Sequence, residues 1–291
     1  MSQVTTDTTL EVSTSVNPKF SIQGYFSRIG YEGSTEPTLV NLRAIHKLHA
    51  QAIPFENLNP FLRIPVMLDI DSLYRKLVLN RRGGYCFEHN LLLMETLKTM
   101  GYDVKGLAAR VIWNSPEGTL NARGHMLLLI TLDKSQFLAD AGFGGLTLTA
   151  PLLLKPEVEQ HTPHENFKLT QSGEEFILHA NVQGMWKHVY SFGLQQNFLP
   201  DYEVASWYLS NHPTSHFVTG LIAAIPFDKG RHTLRNNDFA THFLNGDHDR
   251  KRIDNVDEMK AILENTFQIV LPEIPHLDDS LQRIIHPSTG T

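Results

Sequence analysis

The sequence predicts an α+β fold in which helices come first, a β-rich body follows, and a smaller mixed segment ends the chain. From Phe20 to about Asp103, apolar residues recur at helical spacing. After Gly101 the period changes, and short apolar runs alternate with turn residues. Because helices and strands fall in separate runs, the sequence favours this class over an alternating βα pattern.

Prolines and glycines set the bounds of the predicted helices in the first part. Pro37 stands at the start of one helix, and Pro54 ends it. A second helix is predicted over 71–79. A third is predicted over 86–100, because its apolar residues keep one face and Gly101 can end the helix in a left-handed conformation.

The β-rich body consists of short apolar runs that turn residues separate. Strands are predicted over 104–113, 125–130, 136–141, 175–182 and 185–192. The segment 114–118, Asn-Ser-Pro-Glu-Gly, is typical of a turn. The last part is predicted to hold a helix over 201–211, strands around 217–225 and 232–234, and a last helix over 256–266.

Composition and charge exclude several classes of protein. Only 19% of the 291 residues are charged, 41% are hydrophobic and the net charge is −6, which is ordinary for a globular protein and does not favour nucleic-acid binding. The only dense basic cluster, 250–252, is interrupted by acids and is expected to be a solvated surface, with contact to a phosphorylated cofactor as the alternative.

The first 18 residues have no signal-peptide pattern, and their Ser/Thr-rich composition predicts a disordered tail. No apolar run is long enough for a membrane helix. A single cysteine allows no internal disulfide and fits a reducing compartment, so a cytoplasmic location is expected.

The segment 81–88, Arg-Arg-Gly-Gly-Tyr-Cys-Phe-Glu, is the most informative in the chain. Its two glycines allow a sharp turn and leave room for a ligand close to the backbone. Cys86 then stands at a helix start, where free N–H groups and the helix dipole favour a thiolate, the nucleophilic form of cysteine. A small buried core residue is the alternative reading of a lone cysteine, and the residues alone leave both open.

His125 and Asp140 are the candidates for a base and its orienting acid. If residues 131–134 form the loop of a hairpin, Ile130 pairs with Ser135 and His125 lies directly opposite Asp140. An imidazole and a carboxylate at that separation can form a hydrogen bond that fixes the tautomer. A register slip of two residues would move them one step apart along the strands.

Each of these two residues also has an ordinary structural explanation. His125 could be a polar residue at a strand end, and Asp140 could be a turn former before Gly142. Apolar residues on both sides of Asp140 argue against the second explanation, because an unpaired buried carboxylate is costly.

The other histidines are weaker candidates. His89 lies three residues after Cys86 on the same predicted helix and could touch the thiolate, but we expect no acid to orient it. His212 and His216 have a spacing seen in zinc sites, but Pro213 disfavours a regular helix there and no third ligand is recognisable. We therefore predict no metal site, and no phosphate-binding glycine loop is present in the sequence.

The segment 82–88, RGGYCFE, resembles the nucleophile motif of the arylamine N-acetyltransferases. The resemblance runs from about Phe20 to the C-terminus, and the combination of motifs is specific, whereas Gly-Gly-x-Cys alone would be weak. The other matching segments are 25–30 (YFSRIG), 53–58 (IPFENL), 109–111 (ARV), 124–126 (GHM), 140–144 (DAGFG) and 210–217 (SNHPTSHF).

The resemblance implies three domains after the tail: a helical bundle over 19–103, a β-barrel over 104–200, and a connecting helix with an α/β lid over 201–291. It implies a catalytic triad of Cys86, His125 and Asp140, arranged as in papain-like proteases and transglutaminases. The residues implied to line the cleft for acceptor and cofactor are Val111, Trp113, Phe143, Gly144 and Phe217. Core packing is the alternative for the apolar members of this set.

The implied activity is transfer of an acetyl group from acetyl-CoA to aromatic amines, hydrazines or hydroxylamines, by a ping-pong mechanism through an acetyl-cysteine. The expected partners are these small molecules, with no nucleic acid and no membrane, and the protein is expected to be a monomer or homodimer. The sequence has no long extra loop between the implied barrel and lid, which is typical of the bacterial members of the family.

Two other functions would use the same residues. The first is hydrolysis by a cysteine peptidase or a transglutaminase-like amidase, for which peptide cleavage without any response to acetyl-CoA would argue. The second is a non-catalytic binding module with an incidental cysteine, for which an unreactive thiol at neutral pH would argue.

Overall fold

The computed structural model describes residues 18–116 and 118–287. The tail expected over 1–18 lies outside these ranges, apart from Pro18. In the described ranges no helix has both the length and the apolar character needed to span a membrane.

Helices occupy the N-terminal part and the C-terminal third of the chain. In the described ranges, two π-helical segments, Tyr74–Leu79 and Ile262–Thr266, directly continue the α-helices Ile70–Leu73 and Val256–Ala261. The helices are α1 (Ile22–Ile29), α2 (Leu39–Ala52), α3 (Leu58–Phe61), α4 (Ile70–Leu73), α5 (Cys86–Thr99), α6 (Leu199–Asn211), α7 (His216–Thr219), α8 (Val256–Ala261) and α9 (Leu277–Ile285).

The strands of the described residues form two antiparallel sheets, one of eight strands and one of five. The strands are β1 (Phe55–Glu56), β2 (Asp103–Val111), β3 (His125–Leu132), β4 (Ser135–Ala139), β5 (Leu152–Leu153), β6 (Glu159–His161), β7 (Asn166–Ser172), β8 (Glu175–Val182), β9 (Met185–Phe192), β10 (Ile222–Phe227), β11 (Gly230–Arg235), β12 (Asp238–Phe243) and β13 (His248–Arg252).

The eight-stranded sheet has the order β5-β4-β3-β2-β9-β8-β7-β6 and curls into a nearly closed barrel. Its two edge strands meet through one side chain, because the Gln160 amide donates to the Leu153 carbonyl at 2.8 Å and accepts from the Leu153 N–H at 2.7 Å. Closing a sheet in this way satisfies backbone groups that an open edge would leave unpaired.

Strand β3 is buried on both faces, which explains its continuous apolar run. Met126 and Leu128 pack with the N-terminal helices, whereas Leu127 and Leu129 pack inside the barrel. Side chains alternate between the faces of a strand, so His125 at the start of β3 shares the barrel side of Leu127. The strand therefore positions His125 at the end of the barrel core.

The five-stranded sheet has the order β1-β10-β11-β12-β13. Its first strand comes from the helical part of the chain, where Phe55 pairs with Ala224 and Glu56 with Ala223. A separate apolar core lies between this sheet and the C-terminal helices, with Leu234, Met259 and Leu281 among its fully buried members. The C-terminal segment is thus fastened to the N-terminal part by backbone pairing.

Two predictions for the C-terminal part were wrong in detail. The strand expected over 217–225 begins only at Ile222, since residues 216–219 form α7, which Ser215 caps by accepting from the Phe217 N–H. The helix expected to be the last one is followed by α9, whose mixture of charged and apolar residues has helical spacing.

Candidate active site

Cys86 is the first residue of α5 and is only 4% exposed. The sharp turn before it is made at Arg81, whose φ of 49° is in the left-handed region. The Cys86 sulfur lies 3.7 Å from the Gly124 carbonyl oxygen, next to the start of β3. This position puts the thiol at the positive end of a helix of 14 residues and beside the strand that carries His125.

The two glycines before Cys86 are required by neighbouring protein rather than by a ligand. A Cβ on Gly83 would collide with the Pro54 carbonyl oxygen, and one on Gly84 would lie 2.8 Å from the Glu88 Cβ. The Gly84 carbonyl also accepts from the Glu56 N–H at 2.8 Å. The expected room for a ligand is therefore filled by residues 54–56 and by Glu88, and the close approach lets β1 lie directly against the nucleophile loop.

Two buried ion pairs hold the start of α5. Glu88 accepts from the Tyr85 N–H at 3.1 Å and from Lys76 Nζ at 2.6 Å. Arg82 donates to the Glu56 carboxylate at 2.8 and 3.0 Å. Burial alone would raise the pKa of Glu56, but the charges of Arg82 and Lys76 outweigh it and hold that pKa below its usual value. The loop bearing Cys86 is thus fixed from both sides.

His125 and Asp140 form a hydrogen bond of 2.7 Å between Nε2 and Oδ2. Both side chains are buried, and the His125 ring also packs against Phe143 and Tyr190 with centroids 5.3 and 5.0 Å away. Because Nε2 is occupied by the carboxylate, Nδ1 is the ring nitrogen left for the Cys86 sulfur. A carboxylate, an imidazole and a thiol are the groups that a cysteine-dependent triad uses.

The predicted hairpin register was wrong, although the predicted pair does form. The loop has two residues rather than four, so Leu132 pairs with Ser135 and Leu128 with Ala139. Both loop residues, Asp133 and Lys134, have positive φ, which is the two-residue type I′ geometry. A shift of two residues keeps His125 and Asp140 on the same face, and diagonal partners remain within reach of side-chain contact.

Several groups hold Asp140, which follows the last residue of β4. Asn90 donates to Asp140 Oδ1 at 3.0 Å and accepts from the Ala141 N–H at 3.1 Å. The Gly142 N–H donates to the same carboxylate oxygen at 2.9 Å, and His46 Nε2 accepts from the Asp140 N–H at 3.1 Å. Neither Asn90 nor His46 was predicted; the helical i, i+4 spacing from Cys86 could have found Asn90.

The ionisation of the pair follows from these contacts. Burial lowers the pKa of His125, but the charge and hydrogen bond of Asp140, with the neighbouring Cys86, outweigh it and raise that pKa to about 10. Burial would raise the pKa of Asp140, but His125, Asn90 and the Gly142 N–H together lower it. The arrangement favours an imidazolium hydrogen-bonded to an ionised Asp140 carboxylate at neutral pH.

A cavity of about 1370 Å³ opens on Cys86 and His125. Asp140 lies behind His125 and is fully buried, so it does not line the cavity. All five residues predicted to line a cleft do line this cavity: Val111, Trp113, Phe143, Gly144 and Phe217. Its volume exceeds the roughly 300–1,000 Å³ of a typical pocket for one small ligand.

The cavity also has lining residues that sequence reasoning did not single out. Phe55 lies beside Phe217, with ring centroids 6.2 Å apart, and Tyr208 and Leu209 line it from α6. Arg231 and the residues 242–248 contribute from the five-stranded sheet. These residues share no sequence pattern, because they come from three separate parts of the fold.

Among the residues that the structure describes, no group of three or more His, Cys, Asp or Glu side chains is placed to hold a metal ion. His89, considered above as a rival base, bonds with His49 and the Pro54 carbonyl instead of an acid. His212 contacts Thr214, and His216 packs against Phe217.

Comparisons with known proteins give a consistent result. A family model described as N-acetyltransferase matches residues 38–275. An arylamine N-acetyltransferase of Mycolicibacterium smegmatis is 41% identical over 259 residues, which make up 88% of this chain and 94% of the relative. The solved structure of arylamine N-acetyltransferase from M. tuberculosis is similar with a TM-score of 0.87 at 40% identity, covering 90% of this chain and 100% of that one.

A second solved structure carries a bound molecule. It is the Mycobacterium marinum arylamine N-acetyltransferase in complex with CoA, which is similar to this chain with a TM-score of 0.88 at 37% identity. The match covers 91% of this chain and 100% of that one.

Proposed function

Because the chain belongs to the arylamine N-acetyltransferase family, we propose that it moves an acetyl group from acetyl-CoA to arylamines, arylhydrazines or arylhydroxylamines through an acetyl-cysteine on Cys86. The observation that carries the proposal is the buried His125–Asp140 pair, whose imidazole lines the same large cavity as Cys86. The CoA bound to the M. marinum relative supports an acyl-CoA as the donor.

In the first half-reaction the Cys86 thiolate attacks the thioester carbonyl of acetyl-CoA. Free N–H groups at the start of α5 are suited to stabilise the oxyanion that forms. The bond between the carbonyl carbon and the CoA sulfur then breaks, and the His125 imidazolium gives its proton to the leaving thiolate. The products are free CoA and an acetyl-cysteine enzyme with a neutral imidazole.

In the second half-reaction the amine nitrogen attacks the acetyl-cysteine carbonyl. His125, now neutral, accepts the proton that the amine loses, while Asp140 keeps the ring oriented and stabilises the imidazolium. The bond to the Cys86 sulfur breaks, and the acetylated amine leaves. The thiolate and the imidazolium are thereby restored, so one site serves both substrates in turn.

The aromatic lining of the cavity supports an aromatic acceptor. Phe143 packs against the His125 ring, and Phe55, Trp113 and Val111 line the same cavity. Flat apolar side chains bind aromatic rings by stacking and edge contacts. We propose that these residues hold the ring of the amine, with Gly144 and Phe217 completing the cleft.

We also propose that the module 201–291 acts as a lid on this cleft. Its α6 contributes Val204 and Tyr208 to the cavity, and β11 contributes Arg231 and Thr233. A volume large enough for more than one ligand agrees with an acyl-CoA arm that enters between the barrel and this module.

The proposal predicts that acetyl-CoA alone labels the enzyme. After mixing without an acceptor, intact-mass analysis of the wild type should show the gain of one acetyl group, and Cys86→Ala should show none. Since Cys86 is the only cysteine, a thioester in the product can lie nowhere else. A wild-type protein that gains no acetyl group would contradict the mechanism.

A panel of arylamines with the same two proteins identifies the reaction. CoA release that needs an arylamine for turnover supports acetyl transfer. CoA release at the same rate without an acceptor would instead indicate hydrolysis of the acetyl-enzyme.

A further inference from the structure

His46 connects the helical part of the chain to the residue that orients His125. It lies on α2 and is fully buried. Its Nε2 accepts a hydrogen bond from the backbone N–H of Asp140 at 3.1 Å, although the two residues are 94 positions apart in sequence. The contact joins the buried face of α2 to the end of strand β4.

Asp140 needs such a contact because the β-ladder has already ended. The last paired residues of β3 and β4 are Leu128 and Ala139, and Asp140 is the next residue. Its side chain is held by Asn90 and Gly142, whereas its own N–H bonds to His46. The backbone position of Asp140, from which the carboxylate reaches His125, thus depends on a side chain from another module.

The direction of this hydrogen bond determines the protonation state and the tautomer of His46. Only a lone pair on Nε2 can accept from an N–H, so the neutral ring carries its proton on Nδ1. Burial lowers the pKa of His46 to about 4, despite the nearby Asp140, which raises it. His46 is therefore a neutral acceptor at pH 7.

The other ring nitrogen argues against a role in packing alone. Within the described ranges, Nδ1 of His46 is buried and has no hydrogen-bond partner. A buried polar atom without a partner is destabilising, and a leucine of similar size would avoid it. The hydrogen bond to Asp140 is the one polar contact of the ring among the described residues, and it is the contact that a leucine would lose.

We propose that His46 is a positioning residue for the reaction: by accepting from the Asp140 N–H, it holds the acid in the place from which Oδ2 meets His125. The inference rests on the function proposed above, in which His125 transfers the proton. Helix α2 thereby helps to set the geometry of the site, although His46 contacts neither the substrate nor the sulfur.

The test compares two substitutions that differ in one property. His46→Leu keeps the bulk and removes the acceptor, whereas His46→Gln offers an amide oxygen near the position of Nε2. A displaced acid should lower kcat by roughly ten- to a hundred-fold in His46→Leu, since small misplacements have effects of that size. The KM for acetyl-CoA should change little, and His46→Gln should recover most of kcat.

A second readout follows the pair itself and needs no turnover. The titration of the His125 ring, followed by NMR in the free enzyme, should move to lower pH in His46→Leu and return toward the wild-type value in His46→Gln. The matched control is His49→Leu, which removes an equally buried histidine of α2 that contacts Tyr25 and His89 but not Asp140. Its His125 titration should remain that of the wild type.

Two results would overturn the inference. One is a folded His46→Leu protein with wild-type kcat and wild-type His125 titration. The other is a His46→Gln protein that folds but shows lost kcat and a shifted titration, and this variant decides the matter if His46→Leu fails to fold. Wild-type enzyme that transfers no acetyl group would contradict the proposed function instead, and the titration would still report whether His46 positions Asp140.

Discussion

His125 and Asp140 are both buried, and neither would be stable as a charged group without the other. Burial favours the neutral form of each group. Their mutual attraction and hydrogen bond favour the charged forms, and this second effect is the larger one. Removing either charge would therefore leave the other one buried without its partner. Breaking a buried pair by removing one charge typically costs about 3–5 kcal/mol.

This balance predicts how stability depends on pH. The pKa of His125 rises on folding from 6.5 to about 10. Its contribution to the free energy of unfolding is therefore fully present below pH 6.5 and is lost as pH rises through 10. The pKa of Asp140 falls on folding from 3.8. Its contribution to the free energy of unfolding is therefore present above pH 3.8 and is lost as pH decreases further. Asp140→Asn should therefore lower the free energy of unfolding by about 3 kcal/mol near pH 6, and by clearly less near pH 10.

Denaturant unfolding at the two pH values measures this difference. Asp238→Asn serves as the control, because Asp238 is paired with an arginine at the surface and should contribute little at either pH. An Asp140→Asn penalty that is the same at pH 6 and pH 10 would show that the imidazolium is not what the acid stabilises.

At the scale of elements, the site depends on how closely the loop after β4 approaches the start of α5. A Cβ built on Gly142 would lie 2.7 Å from the Cys86 Cα and 3.0 Å from the Asn90 amide nitrogen. Real Cβ atoms do not approach backbone so closely, so only glycine permits this contact. The loop that carries the acid and the helix that carries the thiol are thus in direct contact.

Gly142→Ala should separate the two elements and slow the reaction. We expect the rate of Cys86 alkylation by iodoacetamide, and kcat, to fall by roughly ten- to a hundred-fold. Gly193→Ala is the matched control, since its Cβ would meet nothing nearer than the Glu174 carbonyl oxygen at 3.8 Å. Wild-type alkylation in Gly142→Ala would mean that the loop can move away without disturbing Cys86.

At the scale of the whole molecule, buried polar contacts fasten the parts of the chain around the cleft. Arg231 of the five-stranded sheet donates to Glu165 at the barrel and to the Thr147 carbonyl, the latter at 2.9 Å. Asn57 of the helical part donates to the Phe217 and Gly220 carbonyls at 2.8 and 2.7 Å. The residues that line the cleft come from different parts of the chain, so these contacts help to determine its shape.

Arg231→Met should therefore destabilise the protein by about 3 kcal/mol, since it leaves the Glu165 carboxylate without its partner in a mostly buried place. The double substitution Arg231→Met with Glu165→Gln should be less destabilising than the sum of the two single ones. Denaturant unfolding of the four proteins forms the cycle, with the exposed Arg250→Met as control. Strict additivity would show that the two side chains do not stabilise each other.

Local sequence patterns predicted several of the longer helices and strands and singled out the three residues found near one another at the site, whereas β7, β12 and β13 had no predicted counterpart. Strands β8 and β9 have the predicted bounds, and α5 begins at Cys86 as expected, because alternation and helical spacing are local properties. The likeness of seven short segments to one family predicted Cys86, His125 and Asp140 together. Their chemical roles remain predictions.

The remaining features depend on contacts between distant residues. Strand β1 has two residues and exists only because β10, which lies more than a hundred residues later, pairs with it. The β3–β4 turn lacks the glycine that usually marks its type, so its length was mispredicted. His46 has no sequence signal that would link it to Asp140. Such features follow from the assembled fold rather than from the local pattern.

Isolation of the acetylated enzyme tests the central claim most directly. The wild type is treated with acetyl-CoA, freed from CoA by gel filtration, and mixed with one arylamine such as aniline while its intact mass is followed. We predict that the mass of one acetyl group disappears from the enzyme as one equivalent of N-acetylated amine appears. Acetyl-enzyme that persists in the presence of the amine, with product forming only when acetyl-CoA is added back, would contradict transfer through Cys86.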